Sequence, residues 1–339
     1  MVKVGVVGIS GYSGLTALEI LLNHPQVRVT YVGADSTTGT LSDIWPRLNG
    51  RTNLVCAKYD AAAAIESCDV IFLAVPHGIS KKITPQLIKS GRKVIDLSGD
   101  YRLRDSRVYQ KWYGEPHTDA VNLKKAVYGL PEIYRVDIAK AQLIANPGCY
   151  PTAAVLGLSP MLCAYGSAVE SITIDAKSGV SGAGRKAKLE LSYCEVNENF
   201  KAYKVLEHQH SPEIELYLSK VAQSRVRVDF VPHLLPINRG ILETIYVRLK
   251  DKISVKALHT VYKRFYKIEP FVRIMALDAQ PELKNVVMTN YCDIGLALSA
   301  DRKLAVITSV IDNLGKGAAG QAVQNLNILC GFREQEGLL

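Results

Sequence analysis

Apolar and polar positions follow a repeating rhythm through the first 147 residues of the chain. Short β-branched or apolar runs alternate there with stretches in which apolar residues recur at helical spacing. The strand-like runs are residues 3–8, 27–34, 70–75 and 93–97, and the helix-like stretches are residues 11–23 and 79–89. Such alternation is typical of a parallel sheet with helices on both faces, so this part predicts a doubly wound α/β domain.

The pattern changes after residue 147, where strands show strict apolar–polar alternation, which is typical of an antiparallel sheet with one covered face. These strands are residues 171–176, 225–231 and 242–249, and the helix-like stretches between them are 186–199, 212–222 and 255–265. A last helix at 318–329 is expected to return to the first domain. We therefore predict a Rossmann-type, doubly wound domain over 1–147, completed by 313–339, and an α+β domain with a mainly antiparallel sheet over 148–312.

Composition narrows the class of protein. A chain of 339 residues suggests about two domains. Its seven cysteines are widely spaced and form no CxxC pair, which indicates a protein of the reducing cytosol without disulfide bonds or a zinc site. The formal charge is +9, but the basic residues are scattered, so we expect small anions rather than nucleic acid as partners. Neither a membrane span nor a signal peptide is evident, so we expect a cytoplasmic protein with no membrane partner.

One cysteine stands in an unusual setting. Cys149 lies within Asn146-Pro-Gly-Cys-Tyr-Pro-Thr152, directly after the apolar run 143–145 and before a helix-like stretch. Two prolines and a glycine fix the direction of the thiol, and the amino terminus of a helix favours the thiolate. A buried, inert cysteine is the alternative, because free cysteines are mostly core residues. The setting favours a nucleophile.

A glycine-rich turn joins the first strand to the first helix, in the sequence Gly8-Ile-Ser-Gly-Tyr-Ser-Gly14. Glycines there permit a tight turn and a close approach of a pyrophosphate to the helix amino terminus. The spacing is GxxGxxG rather than GxGxxG, and simple packing is the alternative. After the second strand, Asp35 suits an unmodified ribose, whereas the hydroxyls of residues 36–38 leave a 2′-phosphate open.

Two further turns follow strands of the first domain. Pro76 and His77 are expected to line the nicotinamide crevice, with catalysis by His77 as the alternative. Arg102 follows the strand at 93–97 and suits a phosphate or carboxylate, since its guanidinium can form a bidentate pair. A salt bridge from Arg102 to Asp100 or Asp105 is the competing interpretation.

The second domain holds two more candidate sites. Residues 176–185 form a loop of small residues flanked by Lys177 and Arg185, which favours an anion-binding nest over a flexible hairpin. His208 and His210 supply an imidazole that can accept the proton of a thiol. Metal ligation is an alternative for the two histidines, but no third ligand is evident nearby, and solvated surface histidines are another. We expect no metal.

Seven motifs in this order resemble the N-acetyl-γ-glutamyl-phosphate reductase family of the semialdehyde dehydrogenase superfamily over nearly the whole chain. They are residues 8–14, 96–103, 128–132, 146–152, 178–185, 208–213 and 316–321. The resemblance implies NADPH-dependent, reversible reduction of N-acetyl-L-glutamyl 5-phosphate to N-acetyl-L-glutamate 5-semialdehyde and phosphate in arginine biosynthesis. It also implies a thioester and a thiohemiacetal on Cys149, and a homodimer or homotetramer. By the same resemblance, residues 1–147 with 313–339 form the dinucleotide-binding domain, and residues 148–312 form the catalytic, substrate-binding and oligomerisation domain.

The resemblance also implies roles for individual residues. Cys149 is the nucleophile and its backbone N–H an oxyanion donor, with His210 slightly preferred over His208 as acid/base because Pro212 and Glu213 follow it. The substrate-binding residues are Arg102, Lys177, Ser178, Arg185 and Glu213. The residues for NADP(H) are Gly8, Ser10, Gly11, Tyr12, Ser13, Gly14, Ser36, Pro76, Ser181, Gly182, Asn313, Lys316 and Gly317.

Two alternatives stay open at this point. A related semialdehyde dehydrogenase acting on aspartyl phosphate or on a carrier-protein-bound substrate shares the nucleophile and the fold, although residues 178–185 and 208–213 favour N-acetylglutamyl phosphate. A dinucleotide-binding sensor without chemistry has no need of the cysteine or the histidines. Where relatives often have an arginine after the second strand, this chain has Asp35, Ser36 and Thr37, so the preference for NADP rests on the family.

Overall fold

A computed structural model describes all 339 residues of the chain, which folds into two units. The first unit comprises Met1–Pro147 and Ala318–Leu339, and the second comprises Gly148–Gly317. We expected the chain to rejoin the first unit at residue 313. In the structure, residues 313–317 still belong to the second unit, and the first unit resumes at Ala318.

The first unit is built on an eight-stranded sheet in the order β3-β4-β2-β1-β5-β6-β8-β7. All neighbours are parallel except β3 and β4. The strands are β1 (Val2–Val7), β2 (Val27–Ala34), β3 (Gly39–Thr40), β4 (Val55–Lys58), β5 (Val70–Leu73), β6 (Lys93–Asp96), β7 (Val127–Tyr128) and β8 (Leu143–Ala145). Because β1 lies in the middle and the chain extends outward on both sides, the sheet is doubly wound, as predicted.

Helices cover both faces of this sheet. They are α1 (Tyr12–Leu22), α2 (Leu41–Ile44), α3 (Ala61–Ser67), α4 (Ser80–Lys89), α5 (Ser106–Tyr113), α6 (Ala120–Lys125) and α7 (Pro131–Ile138). Alternate strand residues face opposite sides, so one core joins Val6 and Phe72 to α1, and the other joins Ile71 and Leu73 to α3 and α4.

The register of the parallel strands determines where the loops emerge. Val7 pairs with Leu73, Leu73 with Asp96, and Asp96 with Ala145, so four strands end at one edge of the sheet. The glycine-rich turn, the turn after β5, the loop after β6 and the turn at Asn146 therefore all leave from that edge. Ligands of open α/β sheets bind at the carboxyl ends of the strands.

The second unit is built on a seven-stranded sheet in the order β10-β11-β9-β12-β15-β14-β13. Its strands are β9 (Val169–Gly179), β10 (Lys201–Ala202), β11 (Asp229–Leu235), β12 (Ile241–Leu249), β13 (Val272–Ile274), β14 (Cys292–Leu298) and β15 (Leu304–Ile311). β9–β11 and β13–β14 are parallel and the other four pairs are antiparallel, so the sheet is mixed but mainly antiparallel.

Four helices belong to the second unit: α8 (Cys149–Tyr165), α9 (Tyr193–Val196), α10 (Ser211–Ala222) and α11 (Val255–Phe265). Every residue of α8 from Tyr150 to Leu162 is buried, as in a helix surrounded by other elements. It packs on β12 and β15 and between α10 and α11. The last helix, α12 (Gly320–Cys330), follows a π-helical turn at Gly315–Ala319 and packs on α1 and α7 of the first unit.

Two predicted elements of the second unit are wrong. Residues 186–199 form only a 3₁₀ turn and the one-turn α9. Leu189 and Tyr193 remain exposed, so too little apolar surface is buried to support a longer helix. The strand predicted to start at residue 225 starts at Asp229, since Ser219 and Glu215 of α10 accept the backbone N–H groups of Val226 and Val228. No helix of the structure is long and apolar enough to cross a membrane.

Candidate active site

Cys149 is the first residue of α8, directly after an N-cap at Gly148. The thiol is half-buried, while α8 behind it is buried from Tyr150 to Leu162. Backbone N–H groups in the first turn of a helix lack intrahelical acceptors and carry the positive end of the helix dipole. The predicted helix after the cysteine is therefore present, with the sulfur at the end that favours negative charge.

A buried carboxylate fixes the turn before the nucleophile. The N–H of Gly148 donates to Oε1 of Glu213 at 2.8 Å, and Glu213 is fully buried in the first turn of α10. The backbone N–H and the hydroxyl of Thr152 both donate to the carbonyl of Gly148, each at 2.9 Å. Glu213, which we predicted as a substrate ligand, thus holds the amino terminus of α8 against that of α10.

The two candidate histidines occupy different environments. His208 is buried, and its ring meets those of Tyr150, Tyr203 and Phe230 at centroid distances of 5.5–5.8 Å. Burial lowers the pKa of His208 to about 3, and the Lys204 ammonium acts in the same direction. Its Nδ1 accepts the backbone N–H of His210 at 3.1 Å, so the proton of the neutral ring is on Nε2.

His210 is half-buried and occupies the N-cap position of α10. Its ring lies 5.9 Å from that of Tyr150, the residue after the nucleophile, and 4.7 Å from that of His208. The structure therefore brings the pair of histidines to the turn that carries Cys149. Their spacing in the sequence alone did not show which of them is buried.

Two tyrosines that we did not predict as site residues lie against this turn. The hydroxyl of Tyr203 donates to that of Tyr150 at 3.3 Å, and Tyr150 donates to the carbonyl of His233 at the same distance. Burial raises the pKa of Tyr203 to about 12 and that of Tyr150 further. Both phenols are therefore neutral at physiological pH. Tyr150 is adjacent to Cys149 in the sequence, but nothing in the sequence pointed to Tyr203.

Gly317 lies directly against the nucleophile. A Cβ atom at this position would come within 2.9 Å of the Cys149 Cβ and 3.1 Å of the Asp312 carbonyl oxygen. Only glycine permits this approach without a shift of the cysteine. The structure thus places one residue of the predicted cofactor loop in contact with Cys149.

Asp312 organises the loop that ends at Gly317. Its buried carboxylate accepts the N–H groups of Leu314, Gly315 and Met288 and forms an ion pair with Arg239. We predicted no role for Asp312 or Arg239. Aspartate is common near turns, so the sequence does not reveal which backbone N–H groups its carboxylate will accept.

The other predicted residues of this loop are buried. The Asn313 amide accepts the N–H of Gly240 at 2.7 Å and donates to the Ser181 hydroxyl at 2.9 Å. Lys316 is fully buried, with its Nζ 5.7 Å from the centre of the Phe271 ring. Ser181 and Asn313, both predicted to contact the cofactor, are thus in direct contact with each other.

The predicted anion nest is divided by the structure into a buried and an exposed part. Ser178 is buried and donates to the carbonyl of Gly179, and the Lys177 ammonium pairs with Asp175 at 2.6 Å. Gly182 and Arg185 are exposed. The helix expected after this loop is absent, and of the two cations that flank the predicted nest Arg185 is the exposed one.

In the first unit, three glycines of the turn after β1 differ in what they contact. Gly8 has a φ of +96°, and a Cβ there would lie 2.3 Å from the Ala74 carbonyl oxygen. A Cβ at Gly14 would lie 2.3 Å from the Gly8 carbonyl oxygen. At Gly11 the nearest atom is 3.7 Å away, so the protein itself leaves room there. This opening at the start of α1 fits the close approach of a pyrophosphate.

The remaining predicted cofactor residues surround this opening or the neighbouring loops. Ser10 and Ser13 are half-buried, and Tyr12 begins α1 with about a third of its surface exposed. Ser36 and Pro76 are exposed after β2 and β5. The carboxylate of Asp35 suits an unmodified ribose, and the hydroxyls of residues 36–38 suit a ribose with a 2′-phosphate.

Arg102 is buried in the loop after β6. Its Nε donates to the carbonyl of Asn146 and its Nη2 to the carbonyl of Leu97, both at 2.8 Å. The guanidinium therefore ties that loop to the turn after β8. His77 accepts the N–H of Gly99 through Nδ1 at 2.9 Å. No group of three or more His, Cys, Asp or Glu side chains is placed to hold a metal ion.

Each of the two units matches a known protein family. Residues 3–141 match a family model described as the NAD binding domain of semialdehyde dehydrogenase, and residues 149–313 match one described as its dimerisation domain. The chain is 49% identical over its full length to an N-acetyl-gamma-glutamyl-phosphate reductase of Desulfotalea psychrophila, and 47% identical to one of Geobacter metallireducens. It covers 98% of each of those proteins.

Solved structures show the same fold at low identity. The aspartate semialdehyde dehydrogenase of Candida albicans with NADP has a TM-score of 0.74 at 16% identity, covering 97% of this chain and 98% of that one. Aspartate semialdehyde dehydrogenase II of Vibrio cholerae complexed with ASA has a TM-score of 0.72 at 16% identity, covering 98% of both chains.

Proposed function

Because the chain belongs to the N-acetyl-γ-glutamyl-phosphate reductase family of semialdehyde dehydrogenases, we propose that it uses Cys149 to reduce N-acetyl-L-glutamyl 5-phosphate to the 5-semialdehyde. The chain is thus an oxidoreductase of arginine biosynthesis that acts on a small molecule. One observation supports the role of Cys149 most strongly: the thiol begins a buried helix in a turn held by the buried Glu213.

The chemistry begins with attack of the Cys149 thiolate on the acyl carbon. The carbon–oxygen bond to phosphate breaks, phosphate leaves with the electron pair, and a thioester remains on the sulfur. The negative charge that develops on the carbonyl oxygen is met by the N–H of Cys149 in the first turn of α8. Covalent capture thereby divides one difficult substitution into two steps.

When bound, NADPH would supply the hydride that the thioester carbon needs for reduction. Residues of the first unit that fit this cofactor are Gly8, Gly11 and Gly14, since the opening at Gly11 admits a phosphate next to the start of α1. Ser36 is exposed in the turn after β2, where dinucleotide-binding domains contact the ribose or its 2′-phosphate. In the second unit, Ser181 and Asn313 remain our candidates for contact with the cofactor.

We assign the acid/base role to His210. The thiohemiacetal on Cys149 needs a proton source and acceptor with a pKa near neutrality as it collapses to the aldehyde and frees the thiol. His208 does not meet this need, because burial lowers its pKa to about 3 and its Nδ1 already accepts a hydrogen bond. His208 instead positions His210 through that bond.

The anionic groups of the substrate require cations or N–H donors. Arg185 is our first candidate because it is exposed on the loop after β9. Ser178 and Arg102 are buried and the Lys177 side chain is largely so, and a role for them in substrate binding therefore requires that they become accessible. Glu213 acts as a positioning residue for the turn at Cys149.

We also propose a homodimer or homotetramer in the cytoplasm. Residues 149–313 match the family's dimerisation domain, which supports self-association. All seven cysteines are free thiols, which fits a reducing compartment.

The direct test is the reverse reaction. Purified enzyme with N-acetylglutamate 5-semialdehyde, phosphate and NADP should produce NADPH, and Cys149→Ser should abolish most of that rate. His210→Gln should lower kcat by about 10²–10⁴-fold, the range of general acid–base catalysis. Cys163→Ser, at an exposed cysteine, should be as active as the wild type.

Two further arms of this assay separate the alternatives. Replacing NADP by NAD tests the cofactor preference, and replacing the substrate by aspartate semialdehyde tests the neighbouring activity. A higher kcat/KM with aspartate semialdehyde, or a fully active Cys149→Ala variant, would overturn the proposal.

A further inference from the structure

The turn between β2 and β3 contains no cation, although it lies where a dinucleotide-binding domain contacts the ribose or its 2′-phosphate. Residues 35–38 of this turn supply the carboxylate of Asp35 and three hydroxyls. A phosphate monoester carries a charge of about −1.5 to −2 near neutral pH, which hydroxyls do not compensate and Asp35 opposes. Binding of a 2′-phosphate here therefore requires a cation from a neighbouring element.

The turn passes over the carboxyl end of β4. The order β3-β4-β2 places β4 between the two strands that the turn connects. β4 is antiparallel to β3, with Gly39 paired to Cys56, and parallel to β2, with Ala34 paired to Lys58. Because neighbouring strands are about 4.8 Å apart, Lys58, the last residue of β4, lies next to the start of the turn.

Hydrogen bonds hold the turn against β4. The Cys56 thiol donates to the carbonyl of Thr37 at 3.2 Å, and the N–H of Tyr59 donates to the carbonyl of Ala34 at 2.8 Å. Cys56 and Lys58 are two residues apart on one strand, so their side chains leave the sheet on the same face. Ala34 and Cys56 belong to the core that packs against α1, and Lys58 therefore lies on the face of the sheet that α1 covers.

The ammonium group of Lys58 is available to a ligand. Lys58 is exposed and forms no ion pair within the chain, whereas Arg47 and Arg51, which follow β3, both pair with Glu19 of α1. A lysine carries its charge on a flexible four-carbon stem and is a frequent ligand of phosphate. Lys58 thus provides an accessible positive charge beside a turn that has none.

Resting on the proposed function, in which NADPH is the reductant, we propose that Lys58 binds the 2′-phosphate of the cofactor and thereby selects NADPH over NADH. The hydroxyls of residues 36–38 donate to the same phosphate, and the charge of Lys58 offsets that of Asp35. Without Lys58, the carboxylate of Asp35 dominates the turn and favours an unmodified ribose.

Isothermal titration calorimetry with NADPH and NADH tests this assignment without turnover. Lys58→Gln should raise the Kd for NADPH at least tenfold and leave the Kd for NADH within twofold, because only NADPH carries the phosphate. Lys58→Arg keeps the positive charge and should retain the preference of the wild type. Lys140→Gln changes an exposed lysine between α7 and β8, at the opposite edge of the same sheet, and should bind both nucleotides like the wild type.

Nucleotide fragments isolate the contribution of the phosphate. The wild type should bind adenosine 2′,5′-bisphosphate more tightly than adenosine 5′-monophosphate, and this difference should shrink as the salt concentration rises. In Lys58→Gln the difference should be smaller and should depend less on salt. Thermal unfolding of this variant should match that of the wild type, because an exposed side chain without an ion pair contributes little to stability.

The possible failures are distinguishable. An unchanged Kd for NADPH in Lys58→Gln, or equal losses for NADPH and NADH, would overturn the role of Lys58 and leave the proposed reaction intact. A wild type that binds neither nucleotide would overturn both the role of Lys58 and the cofactor of the proposed function.

Discussion

At the scale of single residues, burial rather than residue type determines chemical role. His208 and His210 are two positions apart, yet one is enclosed by aromatic rings and the other caps a helix. Glu213 shows the same effect, since its carboxylate is occupied by the Gly148 N–H. The sequence could place these residues together in one motif, but it could not divide the roles among them, because burial arises from distant segments such as Tyr203 and Phe230.

The environment of His208 predicts a specific sensitivity to acid. Its pKa is about 3 in the folded protein and near 6.5 when unfolded, so the unfolded state takes up a proton first. A group with a lowered folded pKa stabilises the fold above its unfolded pKa, and this contribution is lost as the pH falls. Between pH 7.5 and 5.5 the loss is about 1.4 kcal/mol.

Urea unfolding at these two pH values checks this prediction. His208→Phe removes the titration and keeps an aromatic ring, so the wild type should lose about 1.4 kcal/mol more than this variant on acidification. The comparison separates His208 from Asp96, whose pKa burial raises to about 7. Equal losses in both proteins would show that the histidine is protonated within the fold.

At the scale of elements, the candidate residues of each unit lie at helix amino termini. In the second unit, α8 presents Cys149 and α10 presents His210 and Glu213. In the first unit, the turn before α1 leaves the opening at Gly11. The strands and long helices were predictable, because their apolar periodicity reflects burial directly. Residues 186–199 were not, since their apolar pattern is helical but Leu189 and Tyr193 stay exposed in the structure.

Gly317 allows a test of the contact with the nucleophile. Gly317→Ala places a Cβ within 2.9 Å of the Cys149 Cβ, so the cysteine or the loop must move. We expect kcat to fall by about 10²-fold, the effect of a misplacement near 1 Å. Gly166→Ala, where no atom lies within 4 Å, should leave the rate unchanged. Alkylation of Cys149 by iodoacetamide should change in the first variant only.

The glycine-rich turn allows a matched pair of substitutions. Gly14→Ala brings a Cβ to 2.3 Å from the Gly8 carbonyl oxygen and should destabilise the first unit by about 1–3 kcal/mol. Gly11→Ala meets no close atom of the protein, so thermal unfolding should change little while the Kd for NADPH rises about tenfold, or ~1.4 kcal/mol. Unchanged binding of NADPH by Gly11→Ala would place the pyrophosphate elsewhere.

At the scale of the whole molecule, the chain combines a doubly wound unit with a mixed-sheet unit, and the reaction that we propose uses residues of both. The order of seven motifs was sufficient to identify the family, because each motif lies at a turn where a strand or helix begins or ends. The boundary near residue 147 was also visible as a change from buried runs to alternating strands. The extension of the second unit to Gly317 was not, since it depends on the contacts of Asp312 and Gly317.

If Cys149 carries the acyl group, mass spectrometry will detect that group on the enzyme after incubation with N-acetylglutamyl phosphate in the absence of NADPH. We predict an N-acetylglutamyl thioester on the peptide that contains Cys149, lost on addition of NADPH and absent from Cys149→Ala. An adduct on another residue, or turnover by Cys149→Ala without any adduct, would contradict the account.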